Sequence, residues 1–233
     1  YPHKNMENLY TKTTVSELKK AAMESGQEEP AKELFQQEEI KPYVPLFMRE
    51  KEDISGTVRG SAVHRVMELL DFTGEYKNRE EIADAINRFT AEGRLSQEYQ
   101  RAVRPDKILY FLRTPLAARM HAAALSGRLY REQPFVYGIS AARLKDKSRP
   151  DGENAFPADE TVLIQGIVDV FFEEEDGLVL LDYKTDVIKT PDELVKRYKV
   201  QLDYYAEALE SLTEKRVKER VLYSFYLGCV IPA

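Results

Sequence analysis

Asp169, Asp182 and Lys184 are the residues of this sequence whose types and spacing can do chemistry. They interrupt two apolar runs, within residues 161–186, that flank Glu173-Glu174-Glu175-Asp176-Gly177. Charges removed from water must be paired or bound to a metal. Two carboxylates and an ammonium on an otherwise apolar sheet therefore fit one of two arrangements. Either Lys184 neutralises one aspartate while solvent serves the other, or the group holds a divalent cation beside a lysine.

The elements that position them follow from local pattern. A glycine-terminated acidic cluster between β-rich runs predicts two antiparallel strands. Side chains alternate faces along a strand, so Asp182 and Lys184 share one face and Tyr183 points to the other. A two-residue Asp176-Gly177 turn sets Asp169 opposite Lys184, whereas a four-residue loop from Glu174 to Gly177 sets it opposite Asp182. Both registers gather the three charges.

With 233 residues, 43% of them hydrophobic, the chain can bury one substantial core and an accessory subdomain. Charged residues make up 32%, and no apolar run is long enough to span a bilayer. The chain starts at Tyr1 without a signal pattern, and is expected to be a fragment of something longer. The single cysteine, Cys229, excludes an intrachain disulfide or a thiolate cluster and fits a reducing, cytoplasmic setting. A net charge of −6 argues against a free-standing, non-specific nucleic-acid binder.

Along the chain, residues 1–50 are polar and read as an N-terminal tether partly ordered by docking, with Ser16 as N-cap of a short helix through Ala22 and Met23. A helix from Ser55-Gly56-Thr57 to about Leu70 carries Val63, Val66, Met67 and Leu70 along one stripe. His64 flanks that stripe one turn after Gly60, which admits a close neighbour.

Residues 73–128 read as a helical insertion, with caps at Asn78, Ser96 and Thr114. Its Arg101, Arg104, Lys107 and Arg113 read as a solvated surface. Tyr130 to Ile139 reads as a strand, with Glu132 as an edge charge, and residues 142–159 as a long polar loop. Thr190-Pro191-Asp192-Glu193 opens a helix to about Leu212 that buries Leu194, Tyr198, Leu202, Leu209 and Leu212. Gln201 and Tyr205 lie one turn apart on it, and Arg220 to Leu227 reads as a closing strand.

Four motifs in order, Gly60-x3-His64, Gly166-Ile167-Val168-Asp169, Asp182-Tyr183-Lys184-Thr185 and Gln201-x3-Tyr205, resemble the RecB-type nuclease branch of the PD-(D/E)xK superfamily. The wording SELKK at residues 16–20 and RGSAVHRVMELL at residues 59–70 is similar to the nuclease domains of recombination helicase-nucleases. Val168 replaces the proline of the superfamily name, as is usual in that branch.

The resemblance implies an α/β, restriction-endonuclease-like αβββαβ core with a mixed sheet, spanning residues 51–233 and carrying the insertion. It implies a nuclease that hydrolyses single-stranded DNA fed by a motor, in double-strand-break processing for recombinational repair. A catalytically silent relative that guides DNA or braces a partner is the alternative. Asp169 and Asp182 would ligate Mg²⁺ or Mn²⁺, with His64 and the Tyr183 carbonyl as further ligands and Glu132 as an additional contact. Lys184 would orient the attacking water, and Gln201 and Tyr205 would hold the phosphate or the water. Tyr198 and Tyr204 read as core or base-stacking aromatics. The implied partners are DNA, helicase domains of the same parent chain, where alone ATP would be used, and an AddB-type partner subunit. There is no GxxxxGK[ST] phosphate loop, and no cysteine set for an iron-sulfur cluster.

Overall fold

The computed structural model describes residues 12–19, 56–140 and 161–233. They run β1 (Lys12–Thr14), α1 (Gly56–Leu69), α2 (Arg79–Ala91), α3 (Gln97–Ala102), α4 (Pro105–Leu112), α5 (Pro115–Leu125), β2 (Leu129–Ser140), β3 (Thr161–Glu174), β4 (Gly177–Lys184), α6 (Pro191–Thr213), β5 (Val217–Ser224) and β6 (Cys229–Pro232). The expected αβββαβ order is realised by α1, β2 to β4, α6 and β5. Strands β1 and β6 were not expected.

The strands form one mixed sheet: β1 is parallel to β3 and β4 to β5, while β2–β3, β3–β4 and β5–β6 are antiparallel. The parallel β4–β5 pair needs a crossover, which α6 supplies. Helix α6 packs on one face, burying Leu194, Tyr198, Leu202 and Leu209 against Ile164, Val168, Phe171, Leu180 and Leu222. On the other face, α1 to α5 pack on Val170, Phe172, Val179, Leu181, Val221 and Tyr223. The insertion is therefore no accessory subdomain. It is most of the layer that keeps water off one side of the sheet, and a sheet of this kind needs both faces covered.

Local signals explain most helix starts. Asn78, Ser96, Thr114 and Thr190 each accept a hydrogen bond from the backbone N–H three residues on, and Pro115 and Pro191 follow two of them. The N-terminal segment departs from expectation. Lys12–Thr14 pairs with Leu163–Gln165, and residues 15–19 are helical. The cap is Thr14 rather than Ser16: Thr14 Oγ1 accepts from the Glu17 N–H at 3.2 Å, and Glu17 Oε2 accepts from the Thr14 N–H at 2.8 Å. Thr14-x-x-Glu17 is a capping box, and its two reciprocal bonds outcompete a lone serine. Ala22, Met23 and the expected loop at 142–159 lie outside the described residues.

Two smaller expectations change. Leu212 is 57% exposed, in a last turn of α6 that ends at the left-handed Glu214. The closing strand stops at Ser224, because the turn through Gly228 folds the chain back as β6. The insertion's cations lie at the surface as expected, and two of them also bind carbonyls there, Lys107 that of Tyr226 and Arg113 that of Lys77.

Candidate active site

The site lies where β3 parts from β4. On one edge β3 carries β2 along most of its length; the other edge carries β1 at Leu163–Gln165 and β4 from Val170 onward. Gly166, Ile167, Val168 and Asp169 sit at the gap between them. The β3–β4 ladder pairs Val170 with Leu181 and Glu174 with Gly177, so continuing it sets Asp169 across from Asp182. This is the register a four-residue loop predicts, although the turn itself is only Glu175-Asp176. At the fork the Asp169 side chain replaces a strand carbonyl: its Oδ2 accepts from the Tyr183 N–H at 2.8 Å.

Helix α1 brings His64 to this point. A methyl group at Gly60 would stand 3.0 Å from Thr185 Oγ1, so glycine lets α1 lie directly on the Asp182-Tyr183-Lys184-Thr185 segment. His64 Nδ1 then lies 3.4 Å from Asp169 Oδ1, with its ring edge-on to Tyr183. The end of α1 is clamped by Arg131, whose Nη1 donates to the carbonyls of Met67, Glu68 and Leu70 at 3.2, 2.6 and 2.6 Å. A cation there also suits the negative end of the helix.

Next to Arg131, Glu132 has a left-handed backbone, φ 48°, near the start of β2. Its flanking residues pair with Val170 and Val168, which sets Glu132 opposite Asp169. One ligand atom each from His64, Glu132 and Asp169 lie within 4.8 Å of one another. Ligands on opposite sides of a small divalent cation stand roughly 4 Å apart, so an imidazole and two carboxylates fit such an ion in spacing and in donor type.

The electrostatics point the same way. Burial raises the Asp169 carboxyl, but the charge and hydrogen bond of His64 outweigh it and hold it below the usual range. Burial, and then the negative Asp169, push Asp182 up to about 6 and Glu132 up to about 7. His64 is raised: burial lowers it, and the Asp169 charge more than offsets that. Two of these carboxyls are held back from ionising in the absence of a cation, and a bound cation would favour their charged forms.

Asp182 is 1% exposed. Lys184 Nζ lies 2.5 Å from its Oδ2, and Gln201 Nε2 donates to its Oδ1 at 3.2 Å. Gln201 also donates to the Tyr205 hydroxyl at 3.0 Å, so the two residues one turn apart on α6 do meet the same object. A Cβ on Gly166 would come within 2.9 Å of the Phe135 ring and 3.1 Å of Tyr205, so only glycine lets that tyrosine reach the fork.

Tyr198 is more than core. Its hydroxyl donates to the Asp186 carboxylate at 2.9–3.0 Å, which Arg197 Nη1 also approaches at 3.3 Å. Lys184 Nζ lies 4.0 Å from its ring centroid, and Lys19 Nζ lies 3.4 Å from the same centroid. Lys19, held among other groups by burial and then by the nearby Lys184 charge, is lowered to about 7.

The structure thus brings His64, Asp169, Asp182, Lys184, Gln201 and Tyr205 together, with the Tyr183 backbone bound to Asp169. Sequence reasoning missed Arg131 and Lys19, and gave Glu132 a lesser place. The Lys19 signal was legible: Val15, Leu18 and Lys19 share one helical face after the Thr14 cap.

A family model described as the PD-(D/E)XK nuclease superfamily matches residues 35–230. The chain belongs to that superfamily. It is 39% identical, over 225 residues and 97% of its length, to the A subunit of the ATP-dependent helicase/nuclease of Clostridium botulinum (strain 657 / Type Ba4), of which it covers 17%. It is also 32% identical, across 98% of its length, to the corresponding A subunit of Lachnoclostridium phytofermentans, covering 21% of that protein. The chain therefore spans about a fifth of the relatives it matches. Among the described residues no helix is long and apolar enough to cross a membrane.

Proposed function

We propose that this chain is the nuclease domain, residues 51–233 with the N-terminal segment docked on it, of a longer cytoplasmic helicase-nuclease, and that it hydrolyses phosphodiester bonds of single-stranded DNA using Mg²⁺ or Mn²⁺. The carrying observation is the group of His64, Glu132 and Asp169 within 4.8 Å, beside a buried Asp182–Lys184 pair. His64, Glu132, Asp169 and Asp182, with the Tyr183 carbonyl, would hold the cation. When bound, such an ion lowers the pKa of water and neutralises charge on the phosphate.

The chain's own residues do the rest. Lys184, which faces Asp182 across the fork, would orient the attacking water and meet negative charge developing on the phosphate. Gln201 and Tyr205 donate hydrogen bonds from the α6 wall and keep the phosphate in line. Motor domains on the parent chain, together with an AddB-type partner subunit, deliver the strand in recombinational repair of double-strand breaks. Such tethering removes the need for tight binding and accommodates the net charge of −6.

The test is cleavage of end-labelled single-stranded DNA with Mg²⁺ by the full-length protein and its Asp182→Ala and Lys184→Ala variants. Loss of cleavage in both is expected. Variants that cut like the parent would mean that the site is silent and that another nuclease does the work.

A further inference from the structure

We propose that Lys19 is a substrate-binding residue of this active site, its ammonium taking a phosphodiester of the bound strand next to the one served by Lys184. This rests on the nuclease reading above. Lys19 comes from the N-terminal segment that β1 fastens to β3, and the residue is only 7% exposed. Its Nζ and that of Lys184 both lie within 4.0 Å of the centre of one ring, Tyr198.

The neighbouring charges are already answered: Lys184 by Asp182, and Asp186 by Arg197 and the Tyr198 hydroxyl. Among the described residues no carboxylate lies within ion-pair distance of Lys19. A buried ammonium is costly unless an anion meets it, and the ring face meets it only in part. In a domain that acts on a polyanion, the missing anion is a phosphate.

The surroundings supply a route. Thr14, Val15 and Ser16, one turn before Lys19, line a cleft of about 750 Å³ together with Pro134, Phe135, Val136 and Ile167. Tyr205 belongs to both the cleft and the fork. A single strand lying in this cleft would run along the N-terminal segment and beside Tyr205, whose hydroxyl accepts from Gln201. The segment is then part of the substrate channel as well as of the sheet.

The experiment measures binding and cleavage of a thymidine oligonucleotide by the full-length protein and its Lys19→Gln and Lys19→Arg variants. Binding is followed without a divalent metal across a salt series, and thermal melting checks the fold. Loss of one single-strand phosphate contact lowers the slope of log affinity against log salt by about 0.7. Lys19→Gln is expected to show that loss, with KM raised about tenfold and kcat within about threefold; Lys19→Arg should restore both. An unchanged slope and KM in Lys19→Gln overturns the proposal, as does a fall in kcat alone, which would make Lys19 a prop for Lys184. If the parent binds but does not cut, the nuclease reading fails while the slope still decides the contact. If it neither binds nor cuts, both fail.

Discussion

Glu132 stands across the β2–β3 ladder from Asp169, with a left-handed backbone where the strands on either side of it pair regularly. For a residue with a Cβ this conformation costs roughly 1–3 kcal/mol and persists only where the surroundings impose it. Here it turns the carboxylate toward His64 and Asp169. Replacing Glu132 with glycine should therefore raise stability by about 1 kcal/mol in urea unfolding while abolishing most of the metal affinity. Glu132→Gln, which keeps the strain, should lose about 10–100-fold in calorimetric Mn²⁺ affinity without the gain in stability. Equal Mn²⁺ binding by parent and Glu132→Gln would remove Glu132 from the ligand set.

Arg131 acts one residue earlier and in a different way. Its guanidinium closes three carbonyls at the end of α1, the helix that carries His64. Arg131→Ala should cost about 1–2 kcal/mol in thermal melts, from lost charge-assisted hydrogen bonds and helix-end charge. With α1 less firmly fixed, Mn²⁺ affinity should drop about tenfold although no ligand is removed. A melt that shifts with no change in affinity would separate the clamp from the site.

Gly166 gives a steric prediction. An added methyl would sit 2.9 Å from the Phe135 ring and 3.1 Å from Tyr205, and those two rings already meet edge to face at 5.6 Å. Overpacking of this kind costs about 1–3 kcal/mol. Because Tyr205 takes the Gln201 amide, moving it should also lower kcat on single-stranded DNA by about 10–100-fold. Kinetics of Gly166→Ala indistinguishable from the parent would show that Tyr205 does not act at the reacting phosphate.

What the sequence made legible was local. Period-two alternation and a glycine-ended turn identify the hairpin, and Asn78, Ser96, Thr114 and Thr190 announce their helices because each cap bonds within three residues. The family pattern likewise singled out Asp169, Asp182, Lys184 and Gln201, which the fold does gather. Long-range pairing was not legible. Lys12–Thr14 is a strand only because Leu163–Gln165 leaves an edge free for it. Glu132 reads as an edge charge until its backbone is known to be left-handed. The caps of the insertion could be read, but its role as the layer over Phe172 and Leu181 depends on which face meets the sheet.

That layer is fastened by one ion-pair cluster, which makes stability depend on pH. Arg119 of α5 donates to both oxygens of Glu174 at 2.9 Å and to both oxygens of Glu219 at 2.8–2.9 Å, joining the insertion to β3 and β5. Hydrogen bonds from Arg119, and next from Lys218, whose Nζ lies 2.6 Å from Glu174 Oε2, lower the Glu174 carboxyl to about 2 from an ordinary 4.5. A depressed carboxylate contributes stability that is fully present above its unfolded value and is lost as pH falls through the folded one. The Glu174 side chain is 27% exposed, so solvent screening holds the contribution to about 1–2 kcal/mol. Glu174→Gln should therefore be less stable than the parent by that amount at pH 7 in urea unfolding, with the difference shrinking steadily between about pH 4.5 and pH 2. Arg119→Met should show part of the same convergence, because it removes the larger of the two cationic influences on Glu174 and leaves Lys218. A gap between Glu174→Gln and the parent that stays constant down to pH 2 would assign the stabilisation to packing and hydrogen-bond geometry at position 174 rather than to its charge.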